Sequence, residues 1–331
     1  MCHSPQVIMK PLKRPLTLMI RSNHGRFMVK STKVAWLTTI ALRWIRVKDF
    51  GSSSSPPDED LFIPGLVIMG PGIESQGTIP AFIDVPEGSG ALVVEGKRPE
   101  QASYEPFTPA SQYELVNVDM NVTALGTYYV AVYEPSQGGR YGLALGYREE
   151  FGLVEWIRVP LDVIRIHQWE GQPLGFILAP MLGIVVIGYI FLLWQRKKGA
   201  LVLQSSFGVI GSFVSFLYLG SSAIILTQMT RALSRAPWTS SVMVTIVFAL
   251  LALIAGLALL HIAMQAPSAI KTKARVKMAF LGIAGLFIWA GLVIGPVLAI
   301  GASLLPAFTK CKWNFLVSFL YPKLMTAQIS F

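Results

Sequence analysis

The sequence predicts an α+β membrane protein, an extracytoplasmic all-β sandwich followed by a four-helix transmembrane bundle. Three observations lead there. Of the 331 residues, 53% are hydrophobic and only 14% are charged, too apolar a balance for an ordinary soluble domain. Charge is also segregated: residues 1–57 hold ten Lys or Arg against one acid, residues 58–172 hold six against seventeen, and residues 173–331 hold twelve against none. Lastly, short alternating apolar runs before residue 150 give way after residue 173 to unbroken runs long enough to span a bilayer. The net charge of +10 is not the footprint of a nucleic-acid-binding face, because the cations border apolar segments. Lipid head groups are their natural partners.

Residues 1–57 read as a basic, irregular segment that closes in the Ser/Pro linker Gly51-Ser-Ser-Ser-Ser-Pro-Pro57. Within it, residues 34–42 form an apolar run that resembles the core of an export signal, although Arg43, Arg46 and Lys48 follow at once. An export or anchor role is expected there. Cys2 and Cys311 lie far apart and neither falls within 58–172, so that region relies on an apolar core rather than on disulfides.

Residues 58–149 carry the sandwich. Candidate strands are residues 65–69, 78–85, 91–95, 112–120, 127–134 and 140–147, separated by Gly and Pro. In residues 127–134, Tyr128, Val130 and Val132 share one face and Tyr129, Ala131 and Tyr133 the other, which predicts a central strand. The Gly-rich stretch 135–139 then predicts a hairpin that returns residues 140–147 beside that strand. Tyr133, Arg140 and Tyr141 on this hairpin are the candidate binding residues. Asn121-Val-Thr123 is a candidate glycosylation acceptor. The acids of the region fall at turns or alternate out of strands, where they confer solubility. No nucleophile elbow, phosphate loop or zinc-spaced His/Cys set occurs, so no catalytic, cofactor-binding or metal residue is assigned, no cofactor is expected, and the chain is read as a non-enzyme.

"IDVPEGSGALVVEG" and, further on, "ALGTYYVAVYEPSQGGRYGLALGY" carry a resemblance. Over about residues 79–147 the chain resembles the β-sandwich of bacterial prepeptidase C-terminal domains, in which a strand ends in a Val-Pro-x-Gly turn and a Gly-Thr-Tyr-Tyr strand precedes a Gly-rich hairpin and a closing Tyr-x-Leu strand. The Asp-rich middle segment of that family has no counterpart here, and Ser103-Tyr-Glu-Pro106 stands in its place. No calcium site is carried over. The resemblance implies an accessory, non-catalytic sandwich.

Residues 150–172 place Leu153, Trp156, Ile157, Leu161, Ile164 and Trp169 at helical spacing, an amphipathic juxtamembrane segment bent or broken near Pro160 with its Trp residues at head-group level. His167 and Glu170 stand one turn apart. They are half of a metal site, and without further ligands they read as an exposed interfacial pair.

A hydrocarbon core of about 30 Å needs roughly 20 apolar helical residues. Four runs qualify: residues 174–194, 200–229, 241–264 and 278–305. Arg196, Lys197 and Lys198 follow the first, and Lys271, Lys273, Arg275 and Lys277 precede the fourth, against only Arg231 and Arg235 between the second and third. By the positive-inside rule residues 58–172 are extracytoplasmic, and four spans return residues 306–331 to the same outer side. That tail holds only a short apolar patch, residues 315–321. Pro180 and Pro296 are expected to kink their helices. The small-residue pairs Gly208/Ser212, Ala252/Gly256 and Gly291/Gly295 predict close packing within one bundle. His261 reads as an interfacial residue rather than a ligand.

Two functions fit this layout. One is a multi-pass protein of the plasma membrane whose outward sandwich binds another membrane protein or a cell-surface polymer. The other is a channel or transporter subunit for a neutral solute, with a regulatory sandwich. The second requires the polar residues of the second span, Gln204, Ser205, Ser206, Ser212, Ser215, Thr227 and Gln228, to line a path; the first requires them to bond between helices.

Overall fold

The computed structural model describes residues 16–21, 26–29, 44–49, 62–121, 124, 126, 128–135, 140–145, 152–198, 205–265 and 271–305. They fall into two compact units. One holds the sheets with Val163–Pro173 and Gln228–Thr245, the other Ile157–Asp162, Leu174–Thr227 and the chain from Ile246 onward.

Among the described residues the first unit contains nine strands: β1 (Leu16–Arg21), β2 (Arg26–Val29), β3 (Trp44–Asp49), β4 (Gly65–Gly70), β5 (Gly90–Val94), β6 (Ser103–Glu105), β7 (Ala110–Asp119), β8 (Tyr129–Tyr133) and β9 (Arg140–Leu145). They form two antiparallel sheets, ordered β1-β9-β3-β7-β6 and β2-β8-β4-β5. Period-two alternation positions the core. Leu66, Ile68, Val130 and Val132 from the second sheet meet Val116, Val118, Tyr141 and Leu143 from the first in one buried cluster. The opposite side chains of β4, Val67 and Met69, are covered by Ile83 and Ala91, so β4 is buried on both faces. Tyr128 closes the cluster: its hydroxyl donates to the carbonyls of Pro71 (2.7 Å) and Ala124 (2.8 Å), and its ring lies where a side chain on Gly70 would project.

Several expectations change here. β1, β2 and β3 arise from residues read as irregular; the apolar run 34–42 and the linker 51–57 lie outside the described residues. Residues 78–85 are not a strand. Pro80 and Pro86 lack the N–H that a sheet ladder needs, and their carbonyls instead accept turn bonds from Ile83 N (2.9 Å) and Ser89 N (3.1 Å). β8 is central, between β2 and β4, as its two apolar faces predict. It does not pair with β9, however: β9 lies between β1 and β3 in the other sheet.

Among the described residues six helices follow: α1 (Leu153–Trp169), α2 (Leu174–Lys197), α3 (Ser206–Leu233), α4 (Val242–Met264), α5 (Thr272–Phe287) and α6 (Ile294–Leu304). α1 runs on through Pro160, and α2 through Pro180. Among the described residues three helices, α2, α3 and α4, are long and apolar enough to cross a membrane. Their outward side chains, Val186, Ile187, Ile190, Leu250, Ile254 and Leu257 among them, are 48–65% exposed, a surface suited to lipid and not to water. α3 is the most enclosed of the three. Gly220 meets Met181 of α2, Gly256 of α4 meets Leu219, and Ser215 Oγ donates to Gly256 O at 2.8 Å, so the small residues serve packing within the chain.

The expected fourth span is not one helix. α5 ends at Phe287, the chain reverses through residues 288–293, and α6 packs back antiparallel: Gly285 faces Pro296, Gly282 faces Ala299 and Ile300, and Arg275 Nε donates to Ser303 O at 2.7 Å. The reversal places Trp289, Gly291 and Leu292 at φ of 57°, 70° and 55°. Pro296 then falls in the first turn of α6, where its missing N–H costs no helical bond. The end of α6 is consequently level with the start of α5, not across the bundle from it.

Candidate functional site

The residues singled out on the β8–β9 connection sit in different settings. Tyr133 is half-buried, its ring edge-on to Phe82 at 6.2 Å and filling the space a side chain on Gly65 would need. Tyr141 is a core residue, 2% exposed and tilted against Phe62 at 6.1 Å. Burial pushes its phenol up to about 12, and its hydroxyl has no partner among the described residues. Arg140 opens β9 opposite Arg21 of β1, and the connecting residues 136–139 lie outside the described residues. Tyr133 and Arg140 therefore belong to two sheets rather than to one hairpin. Asn121 is exposed just past the end of β7.

A polar cluster occupies Val163–Pro173 and the last turns of α3. His167 Nδ1 lies 3.0 Å from Glu170 Oε2, with the two side chains 1% and 11% exposed. Gln172 and Gln228 exchange amide bonds of 3.1 and 2.8 Å, and Glu170 acts electrostatically on Arg231. His167, read as exposed, is thus buried, because Pro160 and His167, seven residues apart, share the enclosed face of α1, and Glu170 beside it is mostly enclosed. His167 Nε2 and Glu170 Oε1 find no partner among the described residues. Two ligand-type side chains fall short of a metal centre, and no group of three His, Cys, Asp or Glu that could hold a metal occurs among the described residues. His261, in the last turn of α4, is exposed.

A contact that sequence reading missed ties β6 and the turn after it to α4. Tyr104 Oη donates to Thr245 Oγ1 at 2.8 Å, and Thr245 Oγ1 donates to Pro106 O at 2.8 Å. Burial raises the Tyr104 phenol above its ordinary value, with the Thr245 bond acting the other way. Nothing in the spacing of residues 104 and 245 announces this pairing. Only the threonine itself, a polar group at the start of an apolar run, is legible there.

Six polar residues of α3, Ser212, Ser215, Tyr218, Ser221, Thr227 and Gln228, are engaged. Ser212 Oγ donates back to Gly208 O (2.9 Å), Thr227 Oγ1 to Ala223 O (2.8 Å) and Ser215 Oγ to α4, while Ser221 Oγ accepts from Gly291 N at 2.8 Å. Tyr218 Oη donates to Leu281 O at 3.1 Å, and its ring fills the space between Gly285, Gly291 and Gly295. Gln204 lies outside the described residues. Ser215, Tyr218 and Ser221 thereby join helices, and Ser221 satisfies a backbone N–H of the reversed chain at the α5–α6 tip.

No family model matches this sequence, and no curated protein matches it.

Proposed function

We propose that this chain is a multi-pass protein of the plasma membrane that presents its two sheets as a non-catalytic, extracytoplasmic β-sandwich for binding at the cell surface. The observation that carries this reading over a transport function is the use made of the α3 polar groups: Ser212, Ser215, Tyr218, Ser221, Thr227 and Gln228 all bond to protein. Residues 173–331 also contain no Asp or Glu, the usual device for carrying an ion. Sidedness is supported by the cations that flank α2 and α5. The likeness of residues 79–147 to prepeptidase C-terminal sandwiches supports an accessory role. Another membrane protein or a cell-surface polymer is the partner class that fits such a module.

A second reading, a channel subunit for a neutral solute, draws on the α5–α6 reversal, since re-entrant chain lines many pores. Tyr218 fills the space at that tip. Osmotic swelling of liposomes containing the purified protein tests both: rates equal to those of empty vesicles are expected for glycerol and urea, and rapid swelling would overturn the anchor reading in favour of the channel.

A further inference from the structure

We infer that the β6–β7 turn, residues 106–109, is a lipid-contacting element that seats the Phe107 ring at the boundary between head groups and acyl chains. The inference rests on the reading that α4 crosses a bilayer, and it assigns the sheet unit a membrane contact of its own.

The depth of the turn follows from its partner. α4 has 23 residues, about 34 Å at 1.5 Å per residue, against a hydrocarbon core of about 30 Å. Centred, the helix overhangs each side by roughly 2 Å, and Thr245, its fourth residue, lies about 4.5 Å from the end, just inside the hydrocarbon. Thr245 is 1% exposed and its hydroxyl is bonded on both sides by Tyr104 and Pro106. A carbonyl of the turn is thereby held at the hydrocarbon edge. Phe107, the next residue, is 47% exposed, and in the same unit Met243, in the first turn of α4, and Trp238, in the connection before it, are 54% and 60% exposed. Large apolar side chains about half exposed at this depth match the interfacial belt in which aromatic rings favour the head-group level. Glu105, two residues before Phe107, supplies the polar side of that boundary. Asn121 provides a contrast: it lies beyond the far end of β7, whose ten residues carry the chain about 30 Å from the turn.

Spin labels on a Cys-free background (Cys2→Ser, Cys311→Ser) in lipid nanodiscs test this. Phe107→Cys, Asn121→Cys and Ile254→Cys, the last 62% exposed at mid-α4, are each compared for collision with oxygen, which partitions into lipid, and with a water-soluble nickel chelate. Oxygen is expected to dominate at 107 and 254, and the chelate at 121. Chelate dominance at 107 with oxygen dominance at 254 would overturn the inference while leaving the span intact; chelate dominance at 254 would remove the membrane reading itself. Should Phe107→Cys fail to fold, Thr108→Cys reports on the same turn and decides by the same sign.

Discussion

Tyr218 shows how much of the bundle turns on single side chains. Its ring stands where Gly285, Gly291 and Gly295 carry none, and Gly291 also holds a left-handed backbone, φ 70°. Gly291→Ala should therefore cost about 1–3 kcal/mol and lower the melting temperature in detergent. Gly301→Ala, with nothing within 4 Å of the added methyl, should leave it unchanged. Tyr141 gives a pH-dependent counterpart. Its phenol is raised from 10.0 to about 12 by burial. The folded state holds the proton more tightly, so this contribution is complete below pH 10 and is lost as pH rises toward 12, to a limit of about 3 kcal/mol. Alkaline unfolding followed by circular dichroism should shift to higher pH in Tyr141→Phe. His167 illustrates what residue-level reading lacks: without further ligands it reads as an exposed interfacial residue, although its spacing from Pro160 places both on one helical face.

At the scale of elements, the three long spans were legible because lipid demands length and apolarity and little else. The fourth run was equally apolar, and composition does not distinguish one helix of 28 residues from two shorter ones turned back on each other. What decides it is local: glycine at 291, a proline that is harmless only near a helix start, and an Arg275 bond to Ser303 that antiparallel packing makes possible. The pairing predicts that Lys271→Cys and Leu304→Cys, in a Cys-free background, react with an impermeant maleimide from the same side of sealed vesicles. Opposite sides would restore a fourth span. Among the strands, β4, β5, β7, β8 and β9 followed from alternation and turn residues. β3 did not, because Arg46 and Lys48, alternating with Ile45 and Val47, belong to a stretch that reads as basic and irregular. The β8–β9 error was of another kind: alternation states which side chains face inward and is silent on which sheet a strand joins.

For the whole molecule, the proposed sidedness rests on the cations that cluster after α2 and before α5. Function was less legible than architecture for a physical reason: a binding face is made of exposed side chains, which a single chain's folding constrains least, whereas burial and membrane crossing constrain most of the rest. The most direct test of the central claim is labelling of intact cells with an impermeant maleimide at Asn121→Cys and Lys197→Cys, both exposed positions, in the Cys-free background. The account predicts reaction at 121 and protection at 197 until the membrane is permeabilised; protection at 121 with reaction at 197 would contradict it.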